Sequence, residues 1–234
     1  MPLASLNPTP TLATRHGITW GLDAPTEDSS VLVTGTPSGH YIDIRFALTG
    51  APTEGPFWAF AGQSTYKPLP SDGCSSGWGQ VVRGEWAHPI DSMGNFEGKD
   101  YADVMTFPNG DQIETGMLEH PETGKPSQFK EYWTKPKDAD AYYPIARAVY
   151  QQDGKDRGVM IRVGKWIQAI RQVSDTQVEV GRWREQAGSW VEEGLSAQSG
   201  QKSFPIEWFV ASGKQGESVA MDEQNWTVVE IAND

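Results

Sequence analysis

Short runs in which hydrophobic and polar residues alternate recur along the whole chain, separated by segments rich in glycine, proline, asparagine and aspartate. Such alternation is typical of β-strands, because successive side chains point to opposite faces of a sheet. The P-N-G-D segment Pro108–Asp111 and the pair Asp153–Gly154 predict tight hairpins. The pattern predicts strands at Ile18–Leu22, Ser30–Thr34, His40–Ala47, Phe57–Ala61, Gly79–Ala87, Val104–Phe107, Gln112–Leu118, Phe129–Trp133, Ile145–Gln151, Gln177–Glu185, Ser189–Leu195, Pro205–Ala211 and Asn225–Ile231.

The stretch Gly158–Gln172 is rich in β-branched and bulky residues and lacks a helical spacing. Its alternation changes phase at Gly164. A residue without Cβ tolerates a sharp bend, so glycine at this point favours a bulge or a barrel corner. We therefore expect one long, bent strand, of the kind found in a barrel or a strongly coiled sheet.

The order of these elements predicts two similar halves. The segments that start at Phe57 and at Glu207 both place an aromatic residue before small ones, and each precedes a tryptophan-led strand by about twenty residues. The segment Lys135–Pro144 combines charged residues with two prolines and shows no alternation, so it predicts a domain boundary. We expect a loose arm over residues 1–15, a first β-barrel over 16–136 and a second over 145–234; one large sandwich is the alternative.

Composition and charge narrow the class of protein. The 25 glycines, 16 prolines and 10 tryptophans agree with many turns and strands, and the net charge of −12 argues against a nucleic-acid partner. The single cysteine, Cys74, excludes an internal disulfide. The N-terminal residues of the sequence show neither the basic start nor the apolar run expected of a signal peptide, and no apolar run is long enough for a membrane span. We expect a soluble, intracellular protein that does not insert into membranes.

Several long motifs resemble a known family: the fungal Hri-type proteins. The similarity covers most of the chain from Gly39 onward and is specific because the matching motifs are long. The resemblance implies a pair of tandem lipocalin-like (calycin-type) antiparallel barrels, located in the cytoplasm and nucleus, and association with a casein-kinase-type protein kinase. It supplies no catalytic motif. The matching motifs are G-H-Y-I-D-I-R-F (Gly39–Phe46), F-W-A-F-A-G (Phe57–Gly62), F-P-N-G-D-Q-I-E-T-G (Phe107–Gly116), E-Y-W (Glu131–Trp133), G-V-M-I-R-V-G-K-W-I-Q (Gly158–Gln168) and N-W-T-V-V-E-I (Asn225–Ile231).

Motifs for catalysis and for cofactors give no assignment. The chain has no G-x-S-x-G, no phosphate-binding or dinucleotide-binding loop, and no closely spaced Cys or His pair for zinc. His88 and His120 are the candidates for an axial haem ligand, but both precede proline at strand ends, which favours solvated turn histidines. We expect no metal and no cofactor.

A barrel cavity is what remains as a candidate site, since small barrels either fill their interior or keep room for one apolar ligand. Polar residues among the predicted strands give the catalytic candidates Asp43, Arg45, Glu114 and Arg162. Tyr41, Asp43 and Arg45 share one strand face. We expect solvated charges there; an inward face would require pairs such as Asp43–Arg45 or Glu114–Arg162. We expect most tryptophans of the chain to be packing residues. The ligand-binding candidates are Tyr41, Trp58, Trp86, Trp166, Gln168, Arg182 and Trp183.

Three functions of different classes stay open at this point. The first is binding of a small apolar molecule, such as a fungal secondary metabolite, in a barrel cavity. The second is a cofactor-independent, pericyclase-like cyclase or isomerase acting on such a molecule. The third is an interaction scaffold associated with a protein kinase. We predict the first, with Arg162 and Trp166 near the ligand.

Overall fold

The computed structural model describes residues 10–49, 56, 58–69, 81–120, 122–137, 139, 142–175, 177–196, 204–221 and 223–233. Within these ranges the chain is all-β apart from one short helix, as the alternating pattern predicts. Cys74 lies outside them, as do Phe57, Gly79 and Gln80 of the predicted strands. The elements are β1 Thr11–Trp20, β2 Ser29–Gly35, β3 His40–Ala47, β4 Trp58–Pro68, β5 Val81–Asp91, β6 Lys99–Thr106, β7 Gln112–Glu119, β8 Pro126–Thr134, β9 Ile145–Gln152, β10 Lys155–Val163, β11 Trp166–Gln172, β12 Val178–Gln186, β13 Ser189–Ser196, α1 Ile206–Ala211, β14 Ser218–Met221 and β15 Gln224–Ala232.

The first eight strands form a closed antiparallel barrel in which each strand pairs with the next and β8 pairs back to β1. A register shift between Arg15 and Gly17 bends β1 where the barrel closes. The predicted P-N-G-D hairpin is present between β6 and β7, with Gly110 at φ +89°. Because β1 begins at Thr11, the predicted arm is wrong for residues 11–15, which belong to the barrel wall.

The second half is an open, seven-stranded sheet in the order β13-β12-β11-β10-β9-β15-β14. The predicted closed second barrel is therefore wrong, since no pairing of the described strands joins β13 to β14. The predicted long strand Gly158–Gln172 is also wrong. It is two strands, β10 and β11, and Gly164, at φ +56°, lies in the tight turn between the paired residues Val163 and Trp166. Glycine marks a phase change in a bulge and in a hairpin alike, so the pattern alone did not separate them.

One face of this sheet packs against the outside of the barrel. Side chains of β2, β3 and β4 form a single hydrophobic core with those of β10, β11 and β12. Ile42, Ile44, Ile161 and Ile170 are fully buried in it. The two halves of the chain consequently share this core.

The opposite face of the sheet holds a second core, into which helix α1 places Phe209 beside Trp183 and Trp226. The strand predicted at Pro205–Ala211 is wrong, because this segment is the helix. A six-residue apolar element is too short for its periodicity to separate helix from strand. The correspondence inferred between the segments that start at Phe57 and Glu207 also fails, because the first segment leads into strand β4 whereas the second belongs to helix α1. Within the described residues, no helix has the length and apolar character needed to cross a bilayer.

Candidate functional site

A cavity of about 880 Å³ occupies the interior of the closed barrel. This volume lies within the range of roughly 300–1,000 Å³ typical of small-molecule sites. The cavity extends to the end of the barrel where β2 turns into β3, β6 turns into β7 and β8 ends. Aromatic walls and charged groups both contribute to its lining, chiefly through Tyr41, Asp43, Arg45, Phe60, Tyr66, Trp86, Asp100, Glu114, Glu131, Trp133, Tyr142 and Tyr143.

Strand β3 supplies three consecutive inward positions, Tyr41, Asp43 and Arg45, which all line the cavity. The expectation that these charges face solvent is therefore wrong. Arg45 Nη2 lies 2.9 Å from Asp43 Oδ2, so the Asp43–Arg45 pair required of an inward face is formed. The Arg45 guanidinium also lies 4.6 Å from the ring centroid of Trp58.

Glu114 on β7 lies directly opposite Glu131 on β8, and both carboxyl groups face the cavity. Arg15 Nη1 donates to Glu131 Oε1 at 2.5 Å, and its remaining nitrogens bind Glu27 and Ser29. Glu131 thus has a cationic partner. Burial, followed by repulsion from Glu131, raises the pKa of Glu114 well above its ordinary value despite the opposing effect of Arg45. The cavity therefore contains an enclosed carboxyl group with a raised pKa at Glu114.

His88 on β5 is 1 % exposed, so the prediction of a solvated turn histidine is wrong. Its Nδ1 lies 2.8 Å from Asp91 Oδ2, and its Nε2 lies 3.7 Å from Asp100 Oδ2. Burial disfavours the imidazolium, but Asp100 and Asp91 outweigh it and raise the pKa of His88 to about 9. Since Asp100 lines the cavity, this charged histidine stands directly behind the cavity wall.

The aromatic walls depend on a local Gly-x-Trp pattern in β5. The ring of Trp86 covers Gly84, where a Cβ would lie 2.3 Å from Trp86 Cη2. Tyr66 packs edge-on against Trp86, with ring centroids 5.9 Å apart. The pattern recurs in β12. There the ring of Trp183 covers Gly181, where a Cβ would lie 2.1 Å from Trp183 Cη2. Glycine at these positions leaves room for a tryptophan to lie flat on the sheet.

Gln168 and Arg182, predicted to bind ligand, lie outside the cavity in the interface between the sheet and the barrel. Gln168 Nε2 donates to the carbonyl oxygens of Leu32 and Ile42 at 2.9 and 3.0 Å. Arg182 donates to Ser30 Oγ at 2.9 Å and to the Ile44 carbonyl oxygen at 2.8 Å. Both side chains satisfy backbone acceptors on the outer side of β2 and β3, which is a structural use of polar groups.

The remaining predicted residues are also distributed outside the cavity. Trp166 belongs to the shared core of barrel and sheet, and Trp183 to the core around α1. Arg162, in the sheet, donates to the Gly164 carbonyl oxygen at 3.1 Å, so the alternative pair Glu114–Arg162 is absent. Trp58 is not among the residues that line the cavity; it packs behind the cavity wall, where its Nε1 donates to Asp91 at 3.1 Å. Of the predicted set, Tyr41, Asp43, Arg45, Trp86 and Glu114 come together in one cavity.

Sequence reasoning missed Arg15, Tyr66, Asp100, Glu131 and Trp133. Arg15 fell in the predicted arm, while Asp100 preceded the start predicted for its strand. Glu131 and Trp133 alternate in E-Y-W and share a face, a signal that strand spacing could have given. In the described ranges, no group of three or more His, Cys, Asp or Glu side chains is arranged to hold a metal ion.

Two comparisons place the chain among known proteins. The family model described as Protein HRI1 matches residues 11–230. A crystal structure of an uncharacterised protein from Saccharomyces cerevisiae is similar at a TM-score of 0.70 and 20 % identity, over 95 % of this chain and 99 % of that one. No curated protein matches. The structural similarity extends to the fold of both halves.

Proposed function

The chain belongs to the Protein HRI1 family, and from this premise we propose that its closed barrel binds a small molecule in its cavity, as lipocalin-like barrels do. The observation that carries the proposal is the cavity of about 880 Å³ with aromatic walls and an enclosed charged floor. An eight-stranded barrel is wide enough to hold one small ligand. The walls favour an apolar body, and the floor at Asp43, Arg45 and Glu114 favours a polar group at one end of it.

The charged floor argues for a binding role because it has a cost to the fold. Buried charges that lack full compensation destabilise a protein by several kcal/mol. A barrel interior filled with aliphatic side chains would avoid that cost. Retaining Glu114 without a hydrogen bond from any described residue, beside an open volume, is the arrangement expected where a ligand completes the site.

Native mass spectrometry of the protein purified from the organism that makes it tests this proposal. Val104 lines the cavity, whereas Met105, the next residue of β6, points to the other side of the strand. Val104→Phe should therefore reduce a co-purifying small molecule that the parent and the matched control Met105→Phe both retain. Equal occupancy in all three proteins, or three empty proteins, would contradict binding in the barrel.

A cofactor-independent cyclase or isomerase is the second candidate function, and Glu114 is the observation that favours it. A carboxyl group whose pKa is raised by its surroundings is suited to act as a general acid toward a bound substrate. The co-purified compound, once identified, would be incubated with the parent and with Glu114→Gln, and any conversion followed by chromatography. Conversion by the parent alone, with binding retained in the variant, would identify an enzyme.

Association with a casein-kinase-type kinase and a location in the cytoplasm and nucleus stay proposals that rest on the family resemblance. Co-precipitation of the kinase with the parent protein, compared with Val104→Phe, would separate the two roles. A scaffold should retain its partner when the cavity is filled.

A further inference from the structure

Acidic groups outnumber basic ones around the barrel cavity. Arg45 is paired with Asp43 at 2.9 Å, and Arg15 is shared between Glu131 and Glu27. The groups that line or directly support the cavity floor are the acids Glu27, Asp43, Asp91, Asp100, Glu114 and Glu131 and the bases Arg15, Arg45 and His88. His40 and Lys135 also line the cavity, at the end of the barrel where β8 ends, and Lys135 lies against Tyr142 there. The basic groups at the floor are therefore too few to pair all of its carboxyl groups.

Glu114 is the carboxyl group left over. It is enclosed in the barrel, its accessible surface faces the cavity, and no described residue gives it a hydrogen bond or an ion pair. Asp43 and Glu131 both have an arginine as partner, and Asp100 faces His88. Among the described residues that line the cavity, Glu114 is therefore the one carboxyl group that is left to pair with a cationic ligand.

The walls suit a cation as well. Tyr66, Trp86 and Trp133 present aromatic rings to the cavity, and aromatic faces attract ammonium groups. The same attraction is already used at both ends of the site, where Arg45 lies over Trp58 and Lys135 Nζ lies 5.0 Å from the ring centroid of Tyr142. An anionic ligand would meet the excess of carboxylates instead.

We infer that the barrel cavity takes a small organic cation, a protonated amine on an apolar body, whose ammonium group lies at Glu114. This inference names the ligand class for the binding function proposed above and rests on it. The amine nitrogen would donate to the Glu114 carboxylate, and the apolar body would lie between the aromatic walls toward the open end. No bond is formed or broken in the ligand.

The surrounding titratable groups support a negative field in the cavity. Burial and the charges of Asp43, Asp100 and Asp91 raise the pKa of Tyr41, and the imidazolium of His88 is stabilised despite its burial. The groups that face Glu114 are Glu131 from β8, Asp43 and Arg45 from β3, Asp100 from β6 and Tyr66 from β4. The pKa of Glu114 is raised by burial and by these neighbouring acids, so a cationic amine that lies against it favours the carboxylate and shifts its titration toward proton release.

Isothermal titration calorimetry with three probes of one skeleton tests the inference: phenylbutylamine, phenylbutanol and phenylbutyrate. The amine should bind at least about tenfold more tightly than the alcohol, since a charge-assisted hydrogen bond contributes on the order of 1.5–3 kcal/mol. Its binding should strengthen as the pH rises, and its heat should depend on the ionisation enthalpy of the buffer, which reports proton release.

Glu114→Gln should weaken amine binding by about tenfold or more and remove the buffer dependence, while alcohol binding stays unchanged. Glu119→Gln, at an exposed position of the same strand, is the matched control and should bind as the parent does. Val104→Phe should abolish binding of any probe that occupies the cavity.

The failures of the two proposals are distinguishable. Tighter binding of phenylbutanol or phenylbutyrate, lost in Val104→Phe, would overturn the cationic ligand class and leave the binding function standing. Amine binding that is equal in the parent and Glu114→Gln would overturn the role of Glu114 and with it the inference. Failure of all three probes to bind at millimolar concentration would overturn the inference, while the binding function is decided separately by the co-purifying molecule of the parent and Val104→Phe.

Discussion

The Arg182 guanidinium donates a hydrogen bond of 2.8 Å to the carbonyl oxygen of Ile44, and so joins the open sheet to the outer surface of the closed barrel. The same guanidinium binds Ser30 and lies 5.0 Å from the ring centroid of Phe46. Burial lowers the pKa of Arg182 to about 10, which still leaves the group charged at neutral pH. A buried cation therefore orients the two halves of the chain through backbone acceptors.

Arg182→Ala should destabilise the protein by about 3–5 kcal/mol, because it leaves buried acceptors of β2 and β3 unpaired and opens a cavity in the shared core. Urea unfolding followed by tryptophan fluorescence measures the change. Arg184→Ala, two residues along the same face of β12 with a side chain 30 % exposed, is the matched control and should cost less than 1 kcal/mol. Equal losses in the two variants would refute the docking role of Arg182.

The Gly-x-Trp pattern gives a second prediction. In Gly181→Ala the new Cβ would lie 2.1 Å from Trp183 Cη2, so the ring must leave its place in the core around α1. We expect a loss of about 1–3 kcal/mol, the usual cost of overpacking. Thermal unfolding by circular dichroism provides the measurement. Gly213→Ala, where no atom lies within 4 Å of the added Cβ, should leave the melting temperature nearly unchanged.

The fold was predictable from sequence where local signals decide it. Alternation located most of the barrel strands, and Asp153–Gly154, with φ of +52° and +72°, forms the predicted hairpin turn. Closure was not predictable in this way. Whether a sheet joins its first and last strands depends on pairings distant in sequence, as between β1 and β8, or on their absence, as between β13 and β14.

The site was predictable in part for a related reason. Strand spacing correctly grouped Tyr41, Asp43 and Arg45 on one face, yet spacing carries no information on which face points inward. Gln168 lies among hydrophobic residues in the sequence, as a cavity-lining residue would. In the structure it lies in the interface between the sheet and the outer surface of the barrel. Polar residues that dock two sheets and polar residues that line a cavity differ only in their tertiary partners.

The enclosed His88 gives a prediction about pH. Its pKa in the folded protein, about 9, is raised above the ordinary 6.5, so its stabilisation is complete below pH 6.5 and is lost as the pH rises through 9. His88→Gln should lack this change, and the difference between parent and variant should fall by on the order of 3 kcal/mol across that window. His16→Gln, an exposed histidine of β1, should retain the pH dependence of the parent. Denaturant unfolding at a series of pH values measures all three proteins, and parallel curves for the parent and His88→Gln would exclude a charged His88.

Glu114 predicts a pH dependence in the acidic and neutral range. Its pKa in the folded protein is raised above the ordinary 4.5, so the folded state keeps a proton that the unfolded state releases, and stability falls as the pH rises from 4.5 to the folded pKa. Glutamine imitates the protonated acid without this penalty. Glu114→Gln should therefore match the parent below pH 4.5 and gain about 1.4 kcal/mol on it for each pH unit above that, until the folded pKa is reached. The unfolding free energies of the parent, Glu114→Gln and the exposed control Glu119→Gln, measured in urea across this range, decide the matter. A gain in Glu114→Gln alone would mean that the carboxyl group is kept at the expense of stability, as expected of a binding residue, whereas a constant difference at all pH values would show that folding does not raise the pKa of Glu114.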